Sequence, residues 1–174
     1  MQLKALKRAR TFGSITGAGG IDDGHRTETG EVQRVDDRVT FILDSTPLDV
    51  RKTLVALAGS HEMQRLSRES LGRVQIVLGE LLNNVVEHAY ENQAGGFVQL
   101  DVWVCDGVLK CRLQDGGKPM PALAAPEGVL PPTTNQFDML PEGGFGWFLI
   151  HELTRDLYYD RVNEKNLLSF SLPL

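Results

Sequence analysis

Cysteine is scarce in this chain: 174 residues hold only Cys105 and Cys111. Two thiols cannot build a disulfide framework. Neither stands with a second Cys or a His at zinc-binding spacing, so a structural zinc site is excluded on ligand number. A reducing, cytoplasmic setting is the expectation. Long apolar runs are also missing, and no stretch approaches the roughly 20 residues that a membrane-spanning helix requires. Lys4, Lys7, Arg8 and Arg10 resemble the charged start of a secretory leader. Gly, Ser and Thr follow where the apolar segment should be, which speaks against secretion. Beyond that cluster there is no basic block, and the net charge is −5, from 18 Lys and Arg against 23 Asp and Glu. Nucleic-acid binders usually carry a basic face. Neither nucleic acid nor membrane is expected as a partner.

What is present suits one globular domain. Hydrophobic residues make up 41% and charged residues 24%, which excludes a mostly disordered chain. The length fills one compact domain but not two. Residues 1–36 stand apart, with six of the 18 glycines and no sustained apolar period. They read as an N-terminal arm or flexible tail, either solvated or partner-binding. The folded domain is expected over residues 37–174.

From Arg38 the pattern sharpens. Val39, Phe41 and Leu43 alternate with polar neighbours, as in a half-buried strand. Ser45, Thr46 and Pro47 open a helix whose apolar side is read as Leu48, Leu54, Val55, Leu57 and Ala58, with Gly59 placed to end it. A longer helix is expected over 70–90, with the stripe Leu71, Val74, Leu78, Leu81, Val85 and Ala89. Gly95 and Gly96 stop it. Leu100, Val102 and Val104 then lead to Asp106-Gly107, a favoured two-residue hairpin turn, and Leu109, Cys111 and Leu113 return. This register pairs Val104 with Leu109, Val102 with Cys111 and Leu100 with Leu113, all on one face, with Cys105 and Cys111 on opposite faces.

Residues 116–142 hold six of the eight prolines and no period. A structureless segment of that length inside a compact domain is usually a functional lid. A short helix over 147–155 and two strands, near 157–162 and at Leu168, Phe170 and Leu172, close the chain. The order β-α-α-β-β-lid-α-β-β predicts an α+β fold, a two-layer sandwich of helices on one face of a mixed, mostly antiparallel sheet.

Three groups of residues carry candidate chemistry. On the long helix, Glu80, Asn84 and His88 recur every four residues, forming a polar stripe that borders the apolar one. They read either as surface residues sharing an i, i+4 hydrogen bond or as a site. In the second case Asn84 gives an oxygen to a hard cation such as Mg²⁺ and Glu80 acts as a base. Asp115-Gly116-Gly117-Lys118-Pro119 ends the hairpin. It is either a plain turn or a carboxylate placed to accept from a ligand amine, with Gly117 permitting close backbone approach. Gly143-Gly144-Phe145-Gly146 opens a helix and can present free N–H groups to phosphates. No strand feeds that segment or the glycines at 17–20, so neither is a dinucleotide-binding fingerprint.

Taken together, Glu80-x-x-x-Asn84-x-x-x-His88-Ala89-Tyr90, then Asp115-x-Gly117-x-Pro119, then Gly143-Gly144-x-Gly146 resemble the N, G1 and G2 boxes of the GHKL (Bergerat-fold) ATPases. The His-Ala-Tyr ending is most similar to the anti-sigma-factor serine kinases of the RsbW type. The resemblance covers roughly residues 36–174 and implies a histidine-kinase-like ATPase fold. It implies that Asn84 holds Mg²⁺ on the ATP phosphates and that Glu80 is the general base toward a protein serine. Asp115 would read the adenine amino group with Gly117 beside the base, and Gly143, Gly144 and Gly146 would cradle the phosphates. Residues 118–142 would be the ATP lid, and His88 and Tyr90 would be structural.

Phe145 and Trp147 are bulkier than the family pattern, and the lid carries no arginine for the γ-phosphate. These departures bear on phosphotransfer more than on ATP binding. The function implied is an ATP- and Mg²⁺-dependent serine kinase. It would sequester a sigma factor and phosphorylate a STAS-domain anti-anti-sigma protein, with a homodimer favoured by the resemblance. The alternative is a non-catalytic, nucleotide-dependent interaction module of the same fold. A histidine-kinase catalytic domain is disfavoured, because residues 1–70 offer no helix pair carrying a phosphoacceptor histidine.

Overall fold

The computed structural model describes residues 32–35, 38–129 and 145–174. Strands β1 (Val32–Val35) and β2 (Arg38–Asp44) are followed by helices α1 (Pro47–Ala58), α2 (His61–Gln64) and α3 (Arg68–Asn84), and α3 runs into a π-helical turn at Val85–Ala89. Strands β3 (Phe97–Cys105) and β4 (Val108–Asp115) come next, then a 3-10 turn (Pro121–Leu123), α4 (Phe145–Leu153), β5 (Arg155–Val162) and β6 (Lys165–Pro173). Of the expected arm, residues 1–31 and 36 lie outside the described residues, and Val32–Val35 form an edge strand against β2. Four residues are too few to show an alternation, which is why composition alone grouped them with the arm.

One six-stranded sheet runs in the order β1-β2-β3-β4-β6-β5. The sequence led to a mixed, mostly antiparallel sheet, but every pairing among the described strands is antiparallel. Connectivity explains the difference. After β2 the chain leaves through the helices and re-enters where it left, with Asp44 opposite Phe97. Strands β4 and β5 share a direction, but β6 lies between them.

The alternating residues of β2, β3, β4 and β6 put Phe41, Leu100, Leu113 and Phe170 on the helix-covered face. Val74, Val77, Leu78, Leu81 and Leu82 of α3 meet them, and the buried residues form one continuous cluster. Each fully buried leucine contributes about 1.5–3 kcal/mol.

Helix starts follow local chemistry. Thr46 Oγ1 accepts from the Asp49 N–H at 3.1 Å with Pro47 next in the chain, and Ser67 Oγ accepts from the Ser70 N–H at 3.0 Å. The hairpin forms in the expected register, and Asp106 and Gly107 have φ of 53° and 74°, as a type I′ turn requires. Cys105 is exposed and Cys111 buried.

Three expectations need correction. Leu48 and Val55, assigned to the apolar side of α1, are 60% and 67% exposed, and Val50, Thr53 and Leu57 face the core instead. Seven residues apart, Leu48 and Val55 share a stripe, but it is rotated away from the sheet. Val104 lies next to the hairpin tip and is partly exposed, although Leu109 opposite it is fully buried. Finally, the long helix is not α-helical as far as Tyr90: its α part ends at Asn84.

Candidate functional site

The end of α3 determines where the polar stripe points. In the π turn the Tyr90 N–H donates to the Val85 carbonyl, five residues back, at 3.0 Å. Such wide turns place one extra residue in a helical circuit and recur at functional sites. Below the turn, the Lys118 N–H donates to the Ala89 carbonyl at 2.9 Å. Tyr90 Oη donates to the Phe97 carbonyl at 2.7 Å and accepts from the Gly116 N–H at 2.9 Å. These bonds fasten the helix end to the turn after β4. Tyr90 is thus structural, as expected.

Between these elements opens a cavity of about 400 Å³, within the range of small-molecule sites. Asn84 and His88 line it from the helix, Asp115 from β4, Lys118 to Pro121 from the root of the lid, Trp147 from α4 and Asn166 from β6. Asn84 is half-buried, and among the described residues its side-chain amide has no hydrogen-bond partner. The cavity is mostly apolar, with a few convergent polar groups.

Asp115 is held through one of its two oxygens. Its Oδ1 accepts from Asn166 Nδ2 at 2.7 Å and from the Gly117 N–H at 2.9 Å. Among the described residues Oδ2 takes no hydrogen bond, which leaves it as the acceptor on the cavity side. Burial raises the Asp115 pKa above the ordinary value; the Asn166 bond, the Gly117 N–H and the Arg161 charge offset part of that rise.

Asn84, Asp115 and His88 therefore meet at one cavity, as the boxes imply for the first two. The other expected site residues are placed differently. Glu80 is half-buried one turn before Asn84, against the start of α4 and not in the cavity wall. A side chain at Gly146 would collide with the Glu80 carboxylate. Gly117 also stays out of the cavity wall. A Cβ there would fall 2.6 Å from the Ala89 carbonyl oxygen, so its close approach is to the helix end. Gly143 and Gly144 lie outside the described residues. Trp147 lines the cavity without filling it.

Residues 43–172 match the family model described as the histidine kinase-like ATPase domain. The chain belongs to that family. Among curated relatives of this ATPase domain, it is 27% identical over 143 residues to the serine-protein kinase RsbW of Listeria monocytogenes, covering 75% of this chain and 91% of that protein. It is 26% identical over 97 residues to an anti-sigma F factor of Clostridium botulinum, covering 56% of this chain and 66% of that one. The RsbW of Oceanobacillus iheyensis is 24% identical over 122 residues, covering 70% and 77%. These matches support the GHKL, anti-sigma-kinase resemblance drawn from the boxes.

In this ATPase domain, reading along the chain missed Asn166, Tyr159 and Arg161. Tyr159 Oη and Arg161 Nη1 donate to Asn166 Oδ1 at 2.7 and 2.5 Å. One signal was present: Asn166 continues the inward series Leu168, Phe170, Leu172 by one more step. A polar amide at an inward strand position demands partners. His88, for which the resemblance implies a structural role, lines the cavity.

For a divalent cation the donor set is sparse. No group of three His, Cys, Asp or Glu that could hold a metal is present among the described residues. Asn84 fits as a single oxygen donor to Mg²⁺, which keeps several waters and shares ligands with phosphates. No helix of the described residues is long and apolar enough to cross a membrane.

Proposed function

We propose that this protein is an ATP- and Mg²⁺-dependent serine kinase that also acts as an anti-sigma factor. It works in the cytoplasm, as a homodimer, on a STAS-domain anti-anti-sigma protein. The observation that carries the reading is the joint position of Asp115 and Asn84 in one cavity, with Glu80 one helical turn before Asn84 and against the start of α4. The RsbW and anti-sigma F relatives support the choice of protein substrate and sigma-factor partner.

The geometry supports a role for each residue. Asp115 Oδ2 accepts from the exocyclic amine of adenine. The cavity's apolar wall, including Met120 and Trp147, covers the base. Phosphates extend past Asn84 toward the N-terminus of α4, where free N–H groups and the helix dipole favour negative charge. Asn84 would hold Mg²⁺ there, which would neutralise phosphate charge. Glu80 accepts the proton from the substrate serine as its oxygen bonds to the γ-phosphorus. The bond from that phosphorus to the β-phosphate oxygen breaks, and ADP leaves. Positioning and charge stabilisation dominate such transfers, and a placed base adds roughly 10²–10⁴-fold.

Incubation with labelled Mg-ATP and a dialysed lysate of the source organism tests this directly. One small protein labelled on serine is expected, and Glu80→Gln abolishes the label while ATP binding persists. Binding of ATP without any transfer favours the second reading, a nucleotide-dependent interaction module. The absence of Glu80 from the cavity wall supports that reading. Retention of a sigma factor on the immobilised protein checks the partner.

A further inference from the structure

Behind Asp115 lies a buried polar chain that no part of the phosphotransfer reading uses. Asn166 is only 4% exposed, and every polar atom of its side chain is engaged. Its Oδ1 accepts from Arg161 Nη1 and Tyr159 Oη, and its Nδ2 donates to Asp115 Oδ1 and, at 2.9 Å, to the Lys118 carbonyl. A flipped amide would set its NH₂ against two donors, so these partners fix one orientation. Arg161 Nη1 donates also to the Gly117 carbonyl at 3.0 Å, and Tyr159 Oη accepts from the Met120 N–H at 3.1 Å. The chain thus touches the carboxylate at one end and residues 117, 118 and 120 at the root of the lid at the other.

We propose that Arg161 is a positioning residue for base recognition. Acting through the Asn166 amide, it holds the Asp115 carboxylate with Oδ1 committed to the fold and Oδ2 turned to the cavity, in register with the root of the lid. This rests on the reading of the cavity as an adenine-nucleotide site. Arg161 bonds the amide, not the carboxylate, so its effect on a ligand is indirect. Losing it removes one of the two donors on Asn166 Oδ1 and loosens the hold on the plane of the Asp115 carboxylate. Buried networks of this kind behave as a unit: one missing member loosens the rest.

The groups facing Asp115 are His88 and Tyr90 from the helix end, Lys118 from the lid root, Tyr159 and Arg161 from β5, and Asn166 from β6. Because several of these are ionisable or polar groups, a site-resolved measurement is needed. The test uses the full chain with Arg161→Met, Arg161→Lys and Tyr159→Phe, after spectral dispersion has shown each to be folded. Carbon-13 NMR follows the Asp115 carboxyl in nucleotide-free protein, and calorimetry follows Mg-ATP and Mg-GTP.

Arg161→Met is expected to move the Asp115 midpoint to higher pH and to lower the ATP-to-GTP affinity ratio about tenfold. Arg161→Lys should recover the midpoint in part, and Tyr159→Phe should shift both readouts less than Arg161→Met. An unmoved midpoint together with an unchanged ratio overturns the proposal; should Arg161→Met not fold, the same two readouts in Arg161→Lys and Tyr159→Phe decide it. If the wild type binds neither nucleotide, the adenine-site reading falls, and the midpoint in Tyr159→Phe, which removes a bond on Asn166 without removing a charge, decides whether the network positions Asp115.

Discussion

At the residue scale, Asp115 combines two demands that usually conflict. It is buried, which disfavours its charge, yet the proposed ligand needs an ionised acceptor. Asp115→Asn separates them, because an amide oxygen can keep the bonds from Asn166 and Gly117 while an NH₂ replaces the cavity-facing acceptor. ATP affinity should fall by about 10–100-fold, the cost of setting donor against donor. Folding stability at neutral pH should hold or rise. The folded-state pKa lies above the ordinary value, so this group's contribution to stability is present below that ordinary value and is lost as pH rises through the raised one. Thermal melts and calorimetry on the variant check both halves. By the same shift, wild-type ATP affinity should start to decline on acidification at a higher pH than an unperturbed aspartate would give. Asn84 and Asp115 were legible in the sequence because their types and spacing form a motif. Asn166 and Arg161 were not, because their meaning depends on β4 pairing with β6 across 51 residues.

At the element scale, the decisive junction is where the π turn meets the end of β4. Gly117→Ala would bring a Cβ to 2.6 Å from the Ala89 oxygen and 2.8 Å from its carbonyl carbon, backbone atoms that cannot swing aside. A loss of about 1–3 kcal/mol is expected in urea denaturation, with the cavity disturbed as well. Gly72 is the contrast: it sits inside α3 with nothing within 4 Å of a built Cβ. Gly72→Ala should stabilise by about 0.5–1 kcal/mol in the same assay through helix propensity alone. Elements with a long, clean period, α3 and the β3–β4 hairpin, could be read in advance with their register. The π turn could not, since five residues do not separate its period from that of an α-helix. Helix α1 misled for another reason. Its apolar residues occur on more than one side, and only contact with the sheet selects Val50 and Leu57 over Leu48 and Val55.

For the whole molecule, one core serves both layers, so damage at its centre should not stay local. Leu100 is fully buried in β3, and Leu100→Ala should cost about 2–5 kcal/mol. Unfolding is expected to remain a single transition by circular dichroism and by tryptophan fluorescence. The fold class was readable from element order, whereas the all-antiparallel pairing required knowing that the helical excursion closes on itself at Asp44 and Phe97. The position of β6, between β4 and β5, has a consequence for biosynthesis. A ribosome makes this strand after every other strand of the sheet, and it brings Asn166 to Asp115. Until it emerges, the β4 edge that it will cover stays bare and the pocket lacks a wall. ATP therefore cannot chaperone the nascent chain through binding at a finished site.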